Sequence, residues 1–414
     1  MINHKVTPFN SWTGRLIGYI VLILFCQELV PYTGSFVDQT IVRIAVYIIG
    51  LCLMVVTLFR KKNISHKQSI IWIFIFVYQL MLFARLYVDF IEPGKGFFLY
   101  KSPSTIVFFY FFGLLLPAIY FRNIVAYFSI KRIFWYSAVI LFICMSASVL
   151  KILAGEVDMS RDGRFDSGFG VFSISFGQYA CSLALISVYL LKETNLLQKA
   201  ILIGWIVLSG VCIGFSGSRG PFVAFFVCLA IYLLAQNPRY IWVGALLIVL
   251  CLFSDLIKDL FFWLSDYLDS IGVTPFKRIV NTIFAEDGLQ NHTSGRDTLV
   301  DEGWELFLRN PIFGSSYLIP GKIYVHNIIV EQFMALGIFG GIIFLIINAI
   351  TFRMGWIVMR RQPSFAIIPI LYLQYFIFGC LSITIISLAP LWLFMYLTIN
   401  RYCALGNFCY NTDV

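Results

Sequence analysis

Long apolar runs leave this chain little choice of solvent. Runs of spanning length occur near residues 15–34, 40–59, 69–90, 104–121, 132–153, 170–192, 198–216, 220–236, 239–257, 326–350, 365–385 and 387–402. A run of about 18 or more apolar residues is long enough to cross a bilayer as a helix. The pattern therefore predicts about twelve transmembrane helices. The eighth is short, and the last two are parted only by a tight turn near Pro390. Charge content agrees, since 12% of residues are charged against about 25% in soluble domains. With a mean hydropathy of +0.87, the fold class is an all-α polytopic membrane protein.

Basic residues give the orientation. Arg60-Lys61-Lys62 with Lys67, Arg122 with Lys131-Arg132, Lys192 with Lys199, and Arg353 with Arg360-Arg361 fall in alternate loops. Cytoplasmic loops collect Lys and Arg, so these loops and both termini are expected in the cytoplasm. The net charge of +9 reflects topology and gives no argument for nucleic acid. Eight of the ten cysteines (Cys26, Cys52, Cys144, Cys181, Cys212, Cys228, Cys251, Cys380) lie inside apolar runs, with no Cys-x-x-Cys pair and no Cys/His metal spacing. They read as packing residues. No small-residue cleavage site follows the first run, so a cleavable signal peptide is not expected.

This orientation divides the chain into residues 1–254 (spans one to nine), 255–325 (a long outward loop) and 326–414 (spans ten to twelve and a cytoplasmic tail). In a bacterial inner membrane the outward side is the periplasm. Within the loop, residues 259–268 (Asp259 to Leu268) predict an interfacial amphipathic helix with its aromatic side toward the headgroups. Ser294 to Arg309 predicts a second helix, capped by Ser294, with Leu299, Trp304, Leu306 and Phe307 on its apolar side. Asn310-Pro311 ends it and Gly314 turns the chain.

Candidate functional residues cluster on the outward side. Arg219 stands in Ser216-Gly217-Ser218-Arg219-Gly220-Pro221, a break before a helix expected to start near Pro221. An arginine at the positive end of a helix is unfavourable by itself, and an anion bound there would resolve the conflict. An interfacial arginine reaching headgroup phosphate is the other reading. Arg296 follows Gly295 at the start of the second loop helix, where it fits an anion site or a pair with Asp297 or Asp301. Arg164 lies just before a span, with Asp162 and Asp166 able to neutralise it. His326 stands at the membrane boundary and can accept a proton near neutral pH, with Asn327 beside it as an orienting hydrogen bonder; a structural helix-start histidine is the alternative. His4 and His66 are cytoplasmic, and no second His or Cys has metal spacing to His326, so no metal and no cofactor are expected. Glu331 is an intramembrane carboxylate, which by default faces the protein interior. Gly337 and Gly341 read as a small-residue seam against another span. Arg85 and Asp89 read as a buried salt bridge.

Three stretches in register resemble the O-antigen ligase/polymerase superfamily. Phe215-Ser216-Gly217-Ser218-Arg219-Gly220 is similar to its SRG/TRG break. Gly295-Arg296, Trp304-Glu305-Leu306 and Asn310-Pro311-Ile312-Phe313-Gly314 resemble its loop element. Val325-His326-Asn327 to Leu336-Gly337-Ile338-Phe339-Gly340 resembles its HN…GxxG helix start. The resemblance covers roughly residues 200–345. It implies a GT-C-like, inverting, metal-independent glycosyltransferase that takes a glycan from undecaprenyl pyrophosphate and joins it to an acceptor hydroxyl. By the same resemblance Arg219 and Arg296 would bind the pyrophosphate and His326 would activate the acceptor. Arg164 and Asn327 would contact substrate. Ligases of that superfamily often carry a longer insertion between the loop element and the His-Asn pair, where this chain has only Ser315 to Val325, so the resemblance implies an O-antigen polymerase over an O-antigen ligase that loads lipid A-core.

A lipid-linked oligosaccharide flippase is the rival from another class. Transporters tend to show repeated halves and mid-membrane charge, whereas this chain shows no internal repeat and gathers its cations at one surface. The expected partners are the lipid-linked oligosaccharide, the bilayer and a chain-length regulator.

Overall fold

The computed structural model describes residues 12–26, 36–58, 69–91, 110–123, 128–157, 168–169, 173–237, 255–270, 296–320 and 324–410, together with Arg239, Trp242, Lys277 and Val280. Among the described residues all regular structure is helical. Among the described residues five helices are long and apolar enough to cross a membrane, namely Ile70–Asp89, Ile130–Leu153, Ser173–Leu190, Leu196–Ser216 and Ile328–Arg361, and shorter apolar helices accompany them. These features mark a multi-pass membrane protein. The expected span at 239–257 lies almost entirely outside the described residues.

The helices in order are α1 (Trp12–Cys26), α2 (Phe36–Leu58), α3 (Ser69–Ile91), α4 (Leu116–Asn123, preceded by a π-helical turn at Tyr110–Leu115), α5 (Ile130–Leu153), α6 (Ser173–Leu190), α7 (Leu196–Ser216), α8 (Arg219–Gln236), α9 (Asp255–Ser270), α10 (Arg296–Arg309), α11 (Ile328–Arg361), α12 (Ile367–Leu381) and α13 (Ala389–Tyr410). The chain divides into two compact units. The first holds Met1–Phe25, Val46–Ile133 and Ser294–Val414; the second holds Cys26–Ala45 and Phe134–Thr293.

In the second unit, α6 packs against α7 and α8. An apolar helix without a polar stripe belongs in an interior, and α6 is buried along most of its length. Gly177 is where α6 meets the corner between α7 and α8. A Cβ there would sit 2.5 Å from Ser216 Oγ and 2.9 Å from Pro221 Cγ. The corner is built from local hydrogen bonds. Gly217 closes α7 in the left-handed region at φ 54°, and its N–H bonds Gly214 O. The Ser216 hydroxyl donates to Ile213 O at 2.7 Å and accepts from the Ser218 N–H at 3.3 Å. At its other end α7 begins with a capping box, Asn195 Oδ1 accepting from the Gln198 N–H at 2.9 Å.

In the first unit α11 is the spine, packed by α3, α10, α12 and α13. It runs to Arg361 rather than ending near 350, because helix-forming residues continue beyond the length that hydrocarbon requires. Tyr78 of α3 is wedged between Phe344 of α11 (5.6 Å) and Trp392 of α13 (5.7 Å). The predicted tight turn near Pro390 is instead the segment Ser382–Leu388, with a 3-10 turn at Ile385–Ser387, and Pro390 lies inside α13. Among the described residues Cys26, Cys52, Cys144, Cys181, Cys212, Cys228, Cys380 and Cys403 form no disulfide, and Cys181, Cys212 and Cys228 are buried.

The glycine seam takes a different form from the one expected. Gly337 breaks α11 with φ 67°, ψ −166°, and its partner is the turn after α10 and not another span. The Ile338 N–H donates to Pro311 O and the Ser315 N–H to Met334 O, both at 2.8 Å. A Cβ on Gly337 would lie 2.2 Å from Ile312 O, and one on Gly314 (φ 74°) 2.3 Å from Ala335 O. Two glycines in conformations that other residues rarely adopt therefore let two backbones touch. This contact fastens the turn that leads toward His326.

Candidate functional site

His326 is the one non-glycine residue with positive φ (62°) among the described residues. Holding an L-residue there costs about 1–2 kcal/mol, and such strain persists only where neighbours impose it. Here the constraint comes from both sides. Val325 is buried in an apolar cluster with Ile319, Val330 and Met334, against which Leu299, Val300 and Leu306 of α10 pack. Asn327 is the N-cap of α11, its Oδ1 accepting from the N–H groups of Ile329 (3.0 Å) and Val330 (3.2 Å). His326 is thus pinned between an apolar anchor and a helix cap.

The imidazole has its own holders. Nδ1 lies 2.9 Å from the carbonyl oxygen of Ser382, and the Tyr324 ring packs beside it at 4.4 Å. A carbonyl oxygen only accepts, so Nδ1 carries the proton of this bond, and whenever the ring is neutral its lone pair is on Nε2. Asn327 was expected to orient this ring. Its side-chain oxygen is engaged in the cap, and the orienting bond through Nδ1 comes from the turn between α12 and α13.

Glu331 follows in the first turn of α11 and is fully buried. Its Oε1 accepts from Tyr317 OH at 2.6 Å, the Ile385 N–H at 3.1 Å and Gln332 Nε2 at 3.1 Å. Oε2 is buried with no hydrogen-bond partner among the described residues. The Tyr317 phenol also bonds the Thr384 hydroxyl. Because Tyr317 gives its proton to Glu331, Thr384 is the donor in that pair. Burial, and the Glu331 carboxylate beside it, push the Tyr317 phenol well above its usual range, so it stays a donor. Gln332 is tied in turn by Tyr78 OH, which donates to its Oε1 at 2.6 Å.

A second clamp fixes the loop from α3. Arg85 and Asp89 form the expected pair at 3.4 Å. Arg85 Nη1 also donates to Gly314 O (3.3 Å) and Ser315 O (3.1 Å), while Asp89 Oδ2 accepts the Tyr317 N–H at 2.6 Å. Buried charges need such partners. Tyr317 is only 2% exposed and works in this network.

The arginines are placed by their backbones. Arg219 is the first residue of α8 in the second unit, so that helix starts two residues earlier than expected. Arg296 is the first residue of α10 in the first unit, and α10 packs on α11. That packing is aromatic, with Trp304 and Phe307 against Phe333 at 5.7 and 5.5 Å. The side chains of Arg219 and Arg296, all of Arg164 and the capping residue Ser294 lie outside the described residues. The far flank of the Arg164 segment is held by Lys151, whose Nζ donates to Gly168 O at 3.2 Å and stands 4.1 Å over the Phe169 ring. The first loop helix is present as α9, with Trp263 and Tyr267 stacked at 5.9 Å and both exposed. Among the described residues no three His, Cys, Asp or Glu side chains gather as a metal site.

Sequence reasoning missed Gln332, Ser382 and Thr384. The signal for Gln332 and Thr384 was present, since polar side chains inside apolar runs face the protein interior. Ser382 contributes only its backbone and left no signal.

No curated protein and no solved structure matches the chain. A family model described as O-antigen ligase matches residues 204–345, the stretch that holds Arg219, Arg296, His326 and Glu331, and this match supports a likeness of that stretch to the O-antigen ligase/polymerase superfamily.

Proposed function

We propose that this chain is an O-antigen polymerase, a GT-C-like membrane glycosyltransferase that joins undecaprenyl-pyrophosphate-linked repeat units at the periplasmic face of the bacterial inner membrane. The observation that carries the reading is His326, held in a strained conformation at the head of α11 with Nδ1 committed to Ser382. In the proposed step the acceptor hydroxyl oxygen attacks the anomeric carbon of the donor sugar. The bond from that carbon to the pyrophosphate oxygen breaks, and its electron pair leaves with undecaprenyl pyrophosphate. Nε2 of His326 takes the hydroxyl proton. Attack opposite the leaving group inverts the anomeric configuration.

A base within hydrogen-bond reach of the hydroxyl contributes about 10²–10⁴-fold. Arg219 and Arg296 are proposed to bind the pyrophosphate, where charge-matched hydrogen bonds strengthen as the leaving group gains charge. Such a pair removes the need for a metal. Arg164 and Asn327 are proposed substrate contacts, and a chain-length regulator is a proposed partner.

The short connection between the loop element and His326 supports the polymerase over the ligase. In this fold it is fastened directly to α11 through Gly314 and Gly337. The test is the surface glycan of a strain lacking this protein. A glycan of one repeat unit supports the polymerase. No surface glycan at all, with long chains retained on the lipid carrier, replaces the polymerase with the ligase.

A further inference from the structure

Glu331 and His326 are linked by a closed loop of chain. His326 Nδ1 bonds the carbonyl of Ser382 at 2.9 Å. Three residues later the Ile385 N–H bonds Glu331 Oε1 at 3.1 Å, and the first turn of α11 leads back to His326, with the Glu331 N–H on Asn327 O at 2.9 Å. Tyr317 adds a cross-strut, its hydroxyl holding both Glu331 and Thr384 and accepting from the Ile386 N–H at 3.4 Å. Ile385 is also held at its carbonyl by Trp392 Nε1 at 3.3 Å and the Leu388 N–H at 3.3 Å. The chain after Ser382 is therefore tied at three successive residues, Thr384, Ile385 and Ile386.

We infer that Glu331 is a positioning residue for His326, acting through the Ser382–Ile385 turn to keep the Nδ1–H tautomer and so present Nε2 to the acceptor. The physical case is one of geometry. A single carbonyl sets the ring tautomer, and a carbonyl in an irregular turn points wherever its neighbouring peptide groups are tied. The Ile385 N–H directly, and Thr384 and the Ile386 N–H through Tyr317, converge on one carboxyl oxygen of a fully buried side chain, where such hydrogen bonds are strong. An intramembrane carboxylate is costly, and a role in packing alone would not need one.

The inference rests on His326 being the base, so the experiment keeps the two apart. Histidine-selective ¹³C/¹⁵N labelling of the purified full chain reads the His326 tautomer without any turnover, with the signal assigned by His326→Asn. The expected results are an Nδ1–H tautomer in wild type and in Glu331→Gln, which retains Oε1. Mixed tautomers are expected in Glu331→Ala. In a chain-growth assay Glu331→Ala lowers kcat by roughly tenfold or more, toward the 10²-fold share of a general base, with KM nearly unchanged. Glu331→Gln restores most of kcat. If Glu331→Ala does not fold, Tyr317→Phe removes the cross-strut and is expected to mix the tautomers in part. A wild-type tautomer in a folded Glu331→Ala or in Tyr317→Phe overturns the inference whatever the activity. A tautomer change in Glu331→Ala, when the wild-type protein itself shows no chain growth, leaves the coupling of Glu331 to the His326 ring standing and overturns the proposed function.

Discussion

Replacing Gly337 by alanine attacks the contact that fastens the turn after α10 to α11. At φ 67°, ψ −166° the backbone is in a region open essentially to glycine, and an alanine held there costs of order 1–3 kcal/mol. The added Cβ would also stand 2.2 Å from Ile312 O, 2.5 Å from Ile312 C and 2.8 Å from Gly314 N. All three are backbone atoms, so no side chain can swing away, and overpacking of this kind costs about 1–3 kcal/mol more. The sum is about 2–6 kcal/mol. Gly210 in α7 is the control, because a Cβ there meets nothing within 4 Å. Gly210→Ala is expected to be neutral or to stabilise by about 0.4–1 kcal/mol. The assay is thermal denaturation of the purified protein in detergent, followed by intrinsic fluorescence. Gly337→Ala should melt well below wild type and Gly210→Ala at or above it. A Gly337→Ala protein that melts with wild type, or a Gly210→Ala protein that melts lower still, would refute the account of this contact.

Arg219→Ala and Arg296→Ala should each abolish glycan chain growth while leaving expression intact, and wild-type product lengths in either variant remove that residue from the site. EDTA should leave turnover unchanged; a loss that a divalent ion restores contradicts the metal-free mechanism. Asn327→Ala should lower stability by about 0.5–2 kcal/mol through loss of the helix cap, while Asn327→Ser, which also caps, should recover most of it. Equal melting of the Ala and Ser variants would show that the cap does not bear on stability.

Spans such as α3, α5 and α7 stand within a few residues of their predicted places, because hydropathy alone decides where a run crosses a membrane. The α11 end was not legible. Arg353, Arg360 and Arg361 end the apolar run, yet helical hydrogen bonding continues through them. Spacing places Gly337 and Gly341 on one face but does not say which φ either adopts, so a break docked on a distant turn read as a seam between spans. His326 was legible as a titratable residue at a membrane boundary, and Glu331 as a carboxylate inside an apolar run. The partner of His326 was not, since a backbone carbonyl 56 residues away can come from any residue type. Tyr317 was not legible either. An aromatic in a polar loop reads as exposed, and only the fold reveals that Asp89, Thr384 and Glu331 enclose it.

The most direct test of the central claim is made with purified components in detergent, without any membrane compartment. Wild-type protein is incubated with undecaprenyl-pyrophosphate-linked repeat units, and the lipid-linked products are sized by mass. The account predicts a ladder of longer glycans that grows with time and is lost in His326→Ala. Substrate recovered at a single repeat length, with folded wild-type protein present, would contradict the enzyme assignment and turn the reading toward transport of the lipid-linked unit.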